Sequence, residues 1–197
     1  VKFVLTLIAA IPALAFAAVS ADEYYTEANQ LWAQGKVADA YLSFSKALNM
    51  SPSAAWSSSA IERLALLSTA APDEQLRVLG KAAVALDSAD YTSAVTLLRD
   101  YEQSGLLTER LKPWLALFMA RGLGALKRYD EADGILIAEL ARHPDDPAAP
   151  RLMLEQIRLK LTKGDKAGAG ELWEKMAKLY PESAELELAK GLLGNNQ

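Results

Sequence analysis

The chain has 197 residues, 51% of them hydrophobic and 23% charged, with a formal net charge of −4. This supports a core and argues against wholesale disorder, and the mild acidic excess disfavours nonspecific binding to nucleic acid, whose phosphates repel it. The absence of cysteine excludes disulfides, thiolate metal sites, thiol catalysis and lipid attachment through an N-terminal Cys.

The chain starts with Lys2, an uncharged run from Phe3 to Ala21, and then Asp22 and Glu23. A positive start, an apolar stretch and a small-residue end predict a secretory signal peptide over residues 1–21. Val19-Ser20-Ala21 is the expected cleavage site, which would give a domain over 22–197. The alternative is a retained membrane anchor, because the run approaches the ~20 residues that span a bilayer. Pro12 and the many alanines weigh against a permanent span. The expected location is therefore periplasmic or otherwise exported, with a membrane-anchored form facing the periplasm as the alternative.

Four segments then align without gaps. They are Gly35 to Phe44, Ala89 to Leu98, Lys127 to Leu136, and Gly164 to Trp173. Each places an alanine (Ala40, Ala94, Ala132, Ala169) four residues before a large apolar residue, so the two share one helix face. The small residue permits close helix approach, and the large one fills the neighbouring groove. The alanines are 54, 38 and 37 residues apart. The longer first interval holds an extra helix between Ser53 and about Thr69, rich in Ala55, Trp56, Ala60, Ile61, Leu64 and Leu66. Pro72 and Asp73 open the helix after it. Turns are expected at Ser51-Pro52, at His143 to Pro147 and at Tyr180 to Ser183. No stretch alternates as a strand does.

These residues resemble the tetratricopeptide repeat family, whose ~34-residue unit is a pair of helices with a small-residue and aromatic signature. The first repeat offers Tyr24, Ala28 and Leu31, then Ala40, Phe44, Ala47 and Pro52. The second offers Ala82, Tyr91, Ala94 and Leu98. The third offers Met119, Ala120 and Leu123, then Tyr129, Ala132, Leu136 and Pro144. The fourth offers Met153, Gly164, Ala169, Trp173 and Pro181. Glu27 stands where the family has Leu, and Ala116 where the third repeat would carry its leading aromatic. The resemblance covers about residues 22–183. It implies an all-α helical-hairpin solenoid of about ten helices with a right-handed superhelical twist. Ser183 to Leu193 would form the solvating helix that closes the array. The resemblance also implies a concave groove, lined by first helices, that binds peptides or partner proteins.

No constellation for catalysis is visible. The single histidine, His143, has no second histidine or cysteine to build a metal site. Ser57-Ser58-Ser59 lacks a nucleophile elbow. Gly164, Gly168 and Gly170 lack the Gly-Lys-Ser/Thr ending and preceding strand of a phosphate loop. Asp145-Asp146 and Glu182 with Glu185 fall in turns and helix starts, where carboxylates complement the helix dipole. No enzyme activity, cofactor or metal is expected. The groove-facing places implied by the repeat phase are Tyr25, Asn29 and Trp32, then Trp114, Phe118 and Arg121, then Arg158. Aromatics with Arg are the types enriched at binding hot spots, although rings at helical spacing also pack between helices. Asn29 matches an asparagine of the family's carboxylate clamp, but Tyr25 stands where its lysine would be. The function expected is a non-catalytic scaffold or adapter whose partners are other proteins, among them envelope or membrane-complex components. The alternative is a membrane-tethered accessory subunit of a larger complex.

Overall fold

The computed structural model describes residues 19–194. Among the described residues the chain forms ten α-helices and no strand. They are α1 (Ala21–Ala33), α2 (Val37–Met50), α3 (Ser57–Leu67), α4 (Asp73–Asp87), α5 (Tyr91–Gln103), α6 (Lys112–Ala125), α7 (Tyr129–Arg142), α8 (Ala149–Lys163), α9 (Lys166–Leu179) and α10 (Ala184–Gly194). A 3-10 turn, Glu109–Leu111, leads into α6. The extra helix anticipated after Ser53 is α3, with Ser53 to Trp56 forming a turn before it. None of the described helices is long and apolar enough to cross a membrane. The export or anchor segment lies outside the described residues except for its last three. Of these, Ser20 caps α1. Its Oγ accepts the Glu23 N–H at 3.2 Å, and the Glu23 carboxylate accepts the Ser20 N–H at 2.7 Å, a reciprocal capping box. Cleavage after Ala21 would remove this cap.

Four hairpins, α1–α2, α4–α5, α6–α7 and α8–α9, close with one and the same turn. Gly35, Ala89, Lys127 and Gly164 each take a left-handed φ, of 83°, 59°, 61° and 84°. The residue after each donates its N–H to a carbonyl five positions back: Lys36 to Leu31, Asp90 to Ala85, Arg128 to Leu123 and Asp165 to Lys160, all at 2.8–2.9 Å. This satisfies a carbonyl that the helix end would leave open. Five residues after each left-handed position stand Ala40, Ala94, Ala132 and Ala169, all fully buried. The sequence alignment of these segments therefore corresponds to one recurring piece of geometry. The connections leaving α2, α7 and α9 also match. Ser51, His143 and Tyr180 each stop the helix outside helical dihedrals, as a following proline demands.

Inner helices stack in succession: α4 packs on α6, α6 on α8 and α8 on α10, while α5, α7 and α9 pack outside them. A shift of 37 residues carries Lys112 and Pro113 at the start of α6 onto Ala149 and Pro150 at the start of α8. Helix α6 is the centre of the molecule. It is buried continuously from Pro113 to Ala120, in keeping with an apolar sequence all round. Gly122 and Gly124 let its last turn come against Val95 and Leu159.

The first hairpin departs from the expected phase. Regular hairpins in succession have parallel first helices, but α1 and α4 run antiparallel. Gly35, just past the end of α1, meets Arg77 near the start of α4, and Trp32 meets Gly80. At the other end Arg63 joins Tyr25 of α1 to Asp87, the last residue of α4. The cause is α3: one additional helix between the first two hairpins reverses the chain direction. The core follows this plan. One cluster runs from α1 to the outer part of α8, and a second, around Met153, Ile157, Ala169, Met176 and Ala189, joins α8, α9 and α10.

Candidate protein-binding groove

A cavity of about 620 Å³ opens between α3, α4, α6, α8 and α10. A second, of about 520 Å³, continues from it along α6 and α8, with Arg121 and Arg158 lining both. The wall is rich in arginine: Arg63, Arg121, Arg151 and Arg158 all contribute. Each faces a carboxylate. Arg63 donates through Nη2 to both oxygens of Asp87 at 2.8 Å. Arg121 donates to both oxygens of Glu62, at 2.6 and 2.7 Å, and through Nε to Glu155 at 3.1 Å. Arg151 reaches Glu185 at 3.2 Å, and Arg158 reaches Glu155 at 3.4 Å. The Arg121–Glu62 contact pairs fork to fork, a strong arrangement because it is charge-assisted and planar.

Burial and ion pairing oppose each other at the Arg121 cluster, and the pairing prevails. Burial disfavours charge on Glu62, but Arg121 overrides it and holds the carboxyl below its ordinary value. Burial likewise acts against the Arg121 guanidinium, and Glu62 and Glu155 together overcome it, so its pKa is raised. Glu62 and Arg121 are therefore held as a charged pair that joins α3 to α6. Burial also raises the pKa of the Tyr25 hydroxyl, against the opposing pull of Arg63.

The residues expected to line the groove separate into three groups. Trp32, Trp114 and Phe118 are buried, with 0%, 4% and 2% of their surface exposed. Trp32 is held edge-on between Phe44 and Phe118, at 6.4 Å from each ring, and lies against Gly80. It is a core residue and not a groove residue, because antiparallel α4 covers it. Trp114 is likewise enclosed, with the Arg151 guanidinium 5.4 Å over its ring. Phe118 forms part of the cavity floor.

Tyr25 and Asn29 form the second group. They lie where expected on α1, but α3 already engages them. Trp56 stacks on Tyr25 at 4.8 Å. The buried Arg63 donates to the Tyr25 hydroxyl at 2.7 Å and also to Asn29 Oδ1. Helix α3 thus lies across the seam of α1 and α4 and covers Tyr25 and Asn29. Arg121 and Arg158 form the third group, bordering open space, with 28% and 40% of their side-chain surface exposed.

Glu62 and Arg63 do not stand out from the repeat phase, although the sequence holds a signal for them. They are the only charges in the apolar stretch from Ala60 to Leu67, and charges within a buried segment require partners. Ile61 and Leu188 are likewise outside the expected groove set. They line the larger cavity with 51% and 46% of their surface exposed. No group of three or more His, Cys, Asp or Glu among the described residues is placed to hold a metal ion. What the arrangement offers chemically is an apolar rim around guanidinium groups, a surface for recognising acidic and apolar side chains together. In comparisons with known proteins, no family model and no curated protein matches the chain.

Proposed function

We propose that this chain is a non-catalytic protein-binding scaffold of tetratricopeptide-like repeats, wound as a right-handed solenoid, that holds a partner segment in its concave side. The observation that carries this reading is the groove itself: α4, α6 and α8, contributed by successive repeats, and the closing helix α10 line one cavity with exposed Ile61 and Leu188 at its edge. Repeat arrays characteristically bind through such extended concave surfaces. The apolar start of the chain, with Lys2 before it, supports an exported protein acting on envelope or membrane-complex components. The test is capture of a partner from the native source by the wild-type chain and by Leu188→Asp, followed by a binding measurement between the purified pair. The reading requires a direct complex that the substitution weakens while helical content stays unchanged. A purified partner that binds both forms equally would place recognition elsewhere.

A further inference from the structure

Arg121 and Arg158 are the same residue of two successive repeats. They lie 37 residues apart, the shift that also relates Pro113 to Pro150 and Ala132 to Ala169. Both border the concave cavities. Yet their surroundings differ in one respect. Arg121 receives a bidentate carboxylate, Glu62, from a helix laid across the concave side. Arg158 receives none of that kind among the described residues. It reaches Glu155 at 3.4 Å, and that carboxylate is already bound by Arg121 Nε at 3.1 Å. The other carboxylate on the α8 side, Glu185, is taken by Arg151.

From this asymmetry we infer that α3 is a built-in copy of the ligand, and that Arg158 is the equivalent position that binds a glutamate or aspartate side chain of a partner helix. This rests on the groove reading above and specifies the partner's chemistry. The internal copy shows what such a helix carries. Next to Glu62 stands Ile61, half of whose surface remains exposed in the same cavity. Across that cavity Leu188 is exposed to a similar degree. A partner helix beside α3 would place its acidic side chain on Arg158 and an adjacent apolar side chain against Ile61 and Leu188. Charge complementarity sets the choice of occupant: a guanidinium with spare donors, on a side chain 40% exposed, at the junction of two cavities, selects a carboxylate by fork-to-fork pairing. An apolar anchor beside it supplies the helix-in-groove contact.

The probe is a fluorescein-labelled, C-terminally amidated, alanine-based helical peptide carrying one Ile-Glu pair that copies Ile61-Glu62. Its control carries Ile-Gln. Fluorescence anisotropy is measured with the wild-type chain, Arg158→Gln and Arg158→Lys, each checked by circular dichroism for unchanged helical content. The wild type is expected to bind the Glu peptide at least about tenfold more tightly than the Gln peptide, the usual worth of a hydrogen bond to a charged group. Arg158→Gln should abolish that preference, and Arg158→Lys should retain part of it. Equal binding of the two peptides to the wild type, an undiminished preference in Arg158→Gln, or no binding of the Glu peptide would each overturn the inference. If the native partner is still lost by Leu188→Asp in any of these cases, the groove reading survives and only the role of Arg158 falls.

Discussion

Glu62 and Arg121 lie 59 residues apart in the chain, and the carboxylate of one accepts two hydrogen bonds from the guanidinium of the other, at 2.6 and 2.7 Å. The pair ties α3 to the central helix α6. Only 13% of the Glu62 side chain is exposed, so removing its partner leaves a mostly buried carboxylate without its main counter-charge. Arg121→Ala is therefore expected to destabilise the fold by about 3–5 kcal/mol, the usual result of orphaning a buried charge. Arg158→Ala, at a more exposed position, should cost less than ~1 kcal/mol. Urea unfolding of both variants checks this contrast.

Two glycines within helices should respond in opposite directions to alanine. A Cβ at Gly80 would stand 2.8 Å from ring atoms of Trp32 and 3.0 Å from its carbonyl carbon. Helix propensity would gain about 1 kcal/mol, but overpacking costs about 1–3 kcal/mol. With backbone on one side and a locked indole on the other, the clash prevails and Gly80→Ala lowers stability. Gly134 in α7 has nothing within 4 Å of the same position, so Gly134→Ala should stabilise by about 0.5–1 kcal/mol. Thermal unfolding of the two variants in parallel reads out the sign of each.

The recurring left-handed turn makes a third prediction. Lys127 and Ala89 hold positive φ where Gly35 and Gly164 hold it without strain. Such a residue costs about 1–2 kcal/mol in that conformation, while glycine forfeits about 0.4–1 kcal/mol through the freer unfolded chain. Lys127→Gly should thus raise stability by up to ~1 kcal/mol. Gly164→Ala, where no neighbour stands within 4 Å, should lower it by a similar amount. Denaturant midpoints for both decide whether the turn geometry is shared.

Glu139 predicts a pH effect. Its carboxylate is buried, and Oε1 has no hydrogen-bond partner among the described residues. Burial raises its pKa, with His143 and Arg142 opposing. Because the folded value lies above the unfolded value near ~4.3, the folded state binds more protons between the two. The Glu139 contribution therefore falls as pH rises through that window. Glu139→Gln should be more stable than the wild type at pH 7, and the difference should shrink as pH drops toward 4. Stability curves of the two proteins at several pH values test the sign.

The helices and the proline turns that follow α2, α7 and α9 were legible in the sequence because both depend on local pattern. Ala40, Ala94, Ala132 and Ala169 mark buried faces by spacing, and the glycines and prolines mark the ends. The extra helix between the first two hairpins was legible for the same reason. Its consequence was not. The reversal of α1 relative to α4, and with it the burial of Trp32, depends on how many helices separate the two hairpins, not on any residue in either. The expected groove positions of α1 are covered for the same reason. Tyr25 and Asn29 do sit on the inner side, but their occupant is Arg63, a residue 34 or more positions away on a helix that repeat phase does not describe. Arg121 and Arg158, which the repeat phase also marks, border the two cavities. The difference in their carboxylate partners required the three-dimensional contacts.

The proposed partner would sit between α3, α8 and α10. Hydrogen–deuterium exchange of the purified complex against the free chain measures this most directly. Binding there predicts slowed exchange in α3, α8 and α10, around Ile61, Arg158 and Leu188, with α5, α7 and α9 unchanged. Slowed exchange confined to those three outer helices would contradict it.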